Sequence, residues 1–90
     1  MRQIFKYKLV TGEGSTILVL PESAEILSAG VQENDIVVWA SLSLDDNATS
    51  QFEFIVVPTG SSFDNEKDYG FVQTVFMGWM VFHIFVRELG

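Results

Sequence analysis

The stretch from Tyr69 to Val86, YGFVQTVFMGWMVFHIFV, constrains this chain more than any other part of it. It carries no formal charge and is dense in aromatic and β-branched side chains. Such side chains lose χ1 freedom in a helix and pack well on a pleated surface. From Trp79 onward the residues sort by parity. Met80, Phe82, Ile84 and Val86 make an apolar face, while Trp79, Val81, His83, Phe85 and Arg87 make a mixed one. Period two marks a strand with one side in a core. Met77-Gly78-Trp79 interrupts the run where a reversal fits, because Gly78 tolerates positive φ. Two neighbouring strands joined by a tight turn are expected. A membrane helix of minimal length is the competing reading. Gln73, Thr74, Gly78 and His83 in mid-segment and an acidic, not basic, flank speak against it. No membrane association is expected.

The remaining segments alternate in the same way. Phe5, Tyr7 and Leu9 are set against Ile4, Lys6 and Lys8, a half-buried strand over residues 3–9. Thr11-Gly12-Glu13-Gly14 reads as a hairpin turn, and Ser15 to Leu20 as the returning strand. Pro21 ends that strand, having no N–H for a ladder. Pro21 to Ala24 turns the chain again, and Glu25 to Gln32 is a weaker strand, with a helical turn at 21–27 as its alternative. Glu33-Asn34-Asp35 is a further reversal. Ile36 to Leu42 and Gln51 to Val57 are clear strands. Residues 43–50 between them read as a mobile hairpin loop, 58–68 as the longest polar connection, and 88–90 as a frayed tail. The expected fold is one all-β domain over residues 1–90, a small antiparallel sandwich or partly open barrel of about seven strands.

Ninety residues can enclose one core. With no cysteine there is no disulfide framework and no thiolate chemistry, which suits a reducing cytoplasm, the expected location. The start, MRQIFKYKLV, lacks the apolar run of a secretory signal, so the glycosylation sequon Asn47-Ala48-Thr49 is idle. Five basic residues face twelve acidic ones, a net charge of −7. A duplex-binding domain needs a cationic stripe to release counterions. Direct nucleic-acid binding is not expected.

Few residues point to chemistry. Gly12 to Thr16 looks superficially like a phosphate loop, but no lysine and no helix follow it. Asp64, Glu66 and Asp68, with Asp45 and Asp46, could face a hard cation, yet their spacing departs from a calcium loop. They read as solvated carboxylates, with no metal and no cofactor expected. Gathered on one face, the same carboxylates could imitate a phosphate backbone. His83, the one histidine, reads as structural. Trp39 reads as a core residue, and Trp79, beside a turn, as a candidate stacking platform. Arg2, Lys6 and Lys8 share a face of the first strand, and Arg87 shares one with His83 and Trp79 on the last. If those strands are neighbours, these residues make one basic patch, which reads first as lysines guarding an edge strand against aggregation and second as an anion-binding site.

The order of these pieces resembles a family of short proteins of unknown function found in bacteriophages and bacterial genomes. The likeness runs through IFKYKL, LPESAEIL, VQENDIVVWA, PTGSS, YGFVQTV and VFHIFV, nearly the whole chain. Where members carry Asn-Gly after the Val-Gln, this chain carries Glu33-Asn34-Asp35. The resemblance implies a phage context and supplies no catalytic residues.

The function expected is that of a non-enzymatic binding protein, phage-encoded and homo-oligomeric, that blocks a host factor by occupancy. It would do so as an acidic mimic of nucleic acid against a host protein, or by sequestering a small anionic nucleotide signal. A structural or assembly accessory protein of a phage particle is the alternative. An enzyme would need a pocket that gathers two carboxylates with His83.

Overall fold

A computed structural model describes residues 1–12, 14–64 and 67–90. Seven strands follow one another: β1 (Arg2–Lys8), β2 (Thr16–Pro21), β3 (Glu25–Gln32), β4 (Asp35–Ser43), β5 (Thr49–Pro58), β6 (Gly70–Met77) and β7 (Met80–Glu88). Every pairing is antiparallel, in a three-stranded sheet ordered β1-β4-β3 and a four-stranded one ordered β2-β5-β7-β6. The all-β expectation holds: the sheets face each other, β3 lies against β6, and no barrel closes. Among the described residues no helix is long and apolar enough to cross a membrane.

The core follows from parity. Ile36, Val38, Ala40 and Leu42 of β4 point inward against Phe52, Phe54 and Val56 of β5 and Phe82 and Ile84 of β7. Burying one such large side chain contributes about 1.5–3 kcal/mol. The apolar row of β7 is therefore the inner one, as its alternation requires.

Two reversals expected as hairpins are not hairpins. The turn at Gly12 and Gly14 joins β1 to β2, and residues 44–48 join β4 to β5, yet each pair of strands lies in different sheets. A turn sequence reverses the chain but does not decide whether its arms pair. Here β1 and β2 each pair with a more buried strand, β4 and β5. The hairpins that do form are β3–β4 and β6–β7. Glu33 and Asn34 turn the first with φ of 51° and 66°, the signature of a mirror-image turn. Gly78, with φ of 61°, turns the second. The alternative helical turn near 21–27 is instead a tight turn closed by Ala24 N–H to the Pro21 carbonyl, followed by β3.

The tail is held, contrary to the fraying expected of it. Leu89 N–H donates to the Gln51 carbonyl at 2.7 Å, and Gln51 N–H to the Gly90 carbonyl at 3.3 Å. The 59–69 segment has a different task. β7 sits between β5 and β6, so those two run in the same direction and their connection must return across the sheet. Of its described residues, Phe63 lies on the outward side and meets Phe85.

Candidate functional site

The outward face of the three-stranded sheet begins with Arg2, Ile4, Lys6 and Lys8 of β1. Lys6 stands opposite Trp39, and Lys8 opposite Val37. Trp39, expected in the core, is half-buried on this outer side, because the inner parity of β4 belongs to Ile36, Val38, Ala40 and Leu42. Its indole lies over Gly30, where a Cβ would come within 3.1 Å of Cζ3. The absent side chain lets the ring lie down.

Each cation on this face is already engaged. Lys6 Nζ donates to Gln32 Oε1 at 2.7 Å, so its stem reaches from β1 across β4 to β3. Lys8 pairs with Asp35 at 3.2 Å. Arg2 Nε donates to Ser41 Oγ at 2.8 Å, and the guanidinium also reaches the carbonyls of Ser41 and Ser23. Val37, though it points outward, is only 3 % exposed. Since β1 and β7 belong to different sheets, Arg2, Lys6 and Lys8 are not gathered with Arg87, His83 and Trp79.

The four-stranded sheet turns Glu53, Ile55 and Val57 of β5 outward, with Val81, His83, Phe85 and Arg87 of β7. The returning 59–69 segment covers part of them. The Phe63 ring stacks on Phe85 at 4.7 Å between centroids, and Phe71 meets the same ring edge-on at 5.7 Å. Beneath the strap Glu53 collects three donors: Arg87 Nε at 2.6 Å, Ser15 Oγ at 2.8 Å and Tyr69 O–H at 2.8 Å. These bonds, Arg87's first, hold its carboxyl down to about 2. Arg87 is in turn raised by Glu53 and lies 5.3 Å from the Tyr69 ring. Arg87, expected as an anion ligand, is thus neutralised within its own sheet. A cleft of about 660 Å³ opens between the strap and the β1–β2 turn, floored by Ile55 and Val57. Glu53 lines it, but both carboxylate oxygens are hydrogen-bonded.

His83 is a fastener. Nε2 lies 2.7 Å from Thr59 Oγ1, and Nδ1 lies 2.9 Å from Thr74 Oγ1. Thr59 O–H points to the Val81 carbonyl at 3.4 Å. Each ring nitrogen thus has one threonine hydroxyl as its hydrogen-bond partner. The ring ties the start of the strap to β6.

The β6 side of this sheet is left bare. Phe71 is 62 % exposed, Phe76 71 % and Trp79 90 %. A β-bulge creates the row. Phe71 stands opposite Phe85, Thr74 opposite His83 and Phe76 opposite Val81, with a register slip between Phe71 and Gln73. Phe71 and Phe76 differ in parity, and only the slip turns both outward. Trp79, at the hairpin tip, borders a shallow groove with Pro58, Thr59 and Val81. Of the three aromatics, Trp79 alone stood out in the sequence; the bulge hides the others, because it breaks the alternation on which their facing would be read.

The carboxylates do not form one set. Asp45 accepts from the N-terminal amine at 3.0 Å. Asp46 accepts from the Ser23 hydroxyl at 2.7 Å and from the N–H groups of Ser23 and Ala48, and these bonds lower its pKa. The 44–48 connection, expected to be mobile, is thereby fastened to the β2–β3 turn. Asp64 and Asp68 lie in the strap, and Glu66 lies outside the described residues. Among the described residues no three His, Asp or Glu are placed to share a metal ion.

A family model described as a domain of unknown function (DUF7352) matches residues 1–90. No curated protein and no solved structure matches the chain.

Proposed function

The chain belongs to the DUF7352 family over residues 1–90, and from that premise we propose a non-enzymatic binding protein, phage-encoded, that acts by occupying a host factor. The observation that carries this is the uncovered aromatic face formed by Phe71, Phe76 and Trp79. Contiguous exposed apolar surface on a small protein marks a site of association. The phage context rests on the motif resemblance, and the host factor is what such a context implies.

Of the routes to occupancy, contact with a host protein fits the surface better than the other two. Mimicry of nucleic acid needs carboxylates on one face, and here Asp45 and Asp46 are bonded in one connection while Asp64 and Asp68 sit in another. Sequestering an anionic nucleotide needs converging free cations. Lys6, Lys8, Arg2 and Arg87 are each engaged by neighbours, on two different faces.

The test is capture from host lysate with tagged protein, wild type against Phe76→Ser/Trp79→Ser, each checked for fold by circular dichroism. The wild type should retain one protein that the variant loses. A partner held equally by both would remove the support for this reading. A partner that proves to be a virion protein would select the alternative, an accessory component of the particle.

A further inference from the structure

We infer that the first occupant of the bare β6–β7 face is a second copy of this chain, joined as a two-fold dimer. This deepens the reading of that face as an association surface and rests on it.

Three observations point to a second copy. The outward row of β6 is symmetric about its own middle. Phe71, Thr74 and Phe76 stand opposite Phe85, His83 and Val81, which are evenly spaced along β7. Thr74 is therefore flanked by a phenylalanine at equal distance on either side, roughly 7 Å away at ~3.4 Å per residue. A two-fold axis at the level of Thr74 lays Phe71 of each copy on Phe76 of the other. Without the bulge Phe71 would point inward, and the row would have one aromatic end only. An isologous interface requires such self-complementarity.

Charge points the same way. Two copies of a chain with net charge −7 repel over most of their surfaces. On this face Phe71, Thr74 and Phe76 are uncharged, Arg87 is paired with Glu53, and His83 is bonded between two threonine hydroxyls. Area reaches the lower bound of a specific interface, about 1,000 Å² over two copies. At their exposures the three aromatics present on the order of 500 Å² of side chain, taking about 200–250 Å² for each ring system. One side of a standard interface buries about 800 Å², and Val81 and Phe63 border the same patch.

Sedimentation equilibrium between about 1 and 100 µM, a range in which interfaces of this size associate, reads the result directly. Wild type should sediment at twice the chain mass. Phe71→Ser/Phe76→Ser should sediment at the single mass, each substitution weakening the dimer at least ~10-fold. Phe76→Lys alone, at a position that already faces solvent, gives the same reading should the double variant fold poorly. Ile4→Asp, on the opposite sheet, should leave the dimer intact. A wild type of single mass throughout, or a dimer indifferent to Phe71, Phe76 and the lysine variant, overturns the inference. In either case loss of lysate capture in Phe76→Ser/Trp79→Ser would keep the association face standing, and full capture would take both readings down.

Discussion

The two outward faces of the sandwich treat their apolar side chains differently. On the three-stranded sheet Val37 points to solvent yet is almost fully covered, the Lys6 stem crosses its strand, and Trp39 lies flat over Gly30. On the four-stranded sheet the strap shields Phe85 and roofs Glu53, but among the described residues Phe71, Phe76 and Trp79 stay 62–90 % exposed. The chain therefore has two devices for covering outward apolar groups, long basic side chains and a crossing loop. Neither covers β6, and Ile4 of β1 and Ile17 and Val19 of β2 also stay more than half exposed. What sets β6 apart is the size of the groups it leaves bare, two phenylalanines in one row beside Trp79 where the others are single aliphatic side chains, and under the binding reading proposed above that row is the one open to a partner.

The largest effect should come from the strap. Glu53 is held near 2 in the folded chain against an ordinary 4.5. Between those values the unfolded chain binds the extra proton, so stability rises with pH and levels off above about 4.5. The contribution is present at neutral pH and disappears as pH falls towards 2, with a ceiling of about 3.5 kcal/mol at ~1.4 kcal/mol per pKa unit. Urea unfolding of wild type and Glu53→Gln at pH 7 and pH 3 measures it. The variant should lose much of the difference between the two conditions. An unchanged difference would mean that other groups hold the covered half of this sheet.

On the opposite sheet, Trp39→Ala should cost about 2 kcal/mol, below the usual range for a core tryptophan because the ring is half-exposed. Gly30→Ala should cost less, about 1 kcal/mol, since the new methyl meets the indole and the ring must tilt. The two changes should not add. With Trp39 already truncated, Gly30→Ala should be neutral or stabilising in a strand, and a double-mutant cycle by chemical denaturation reads the coupling. Additive costs would show that Gly30 serves the backbone and not the ring.

These contrasts show what the sequence could disclose. Strand positions were legible because alternation is local: the inner row of β7 and the span of β4 follow directly from it. Pairing was not, since β1 and β2 flank a good turn and still join different sheets. Trp39 was misplaced because Ile36 to Leu42 is apolar on both parities until Ala40, so neither side declared itself the outer one. Glu53 left a signal, a lone carboxylate inside QFEFIVV that has to find partners if it is covered. Those partners, Ser15, Tyr69 and Arg87, come from three other segments and only the fold assembles them. Phe71 left none, because a bulge erases the parity that would reveal its side.

The smallest expected change is the one that separates the faces most cleanly. Phe76→Ser and Trp79→Ser remove large apolar side chains, as Trp39→Ala does, but from positions that make few contacts within their own chain. Measured at a concentration low enough to keep the chain monomeric, each should alter unfolding free energy by no more than about 0.5 kcal/mol. At higher concentration the wild type alone should gain stability with concentration, because association of the folded form draws the equilibrium towards it. A loss above ~1 kcal/mol in the monomer would instead place Phe76 with Trp39 among side chains that hold the sheet together. The distinction between the two faces would then vanish.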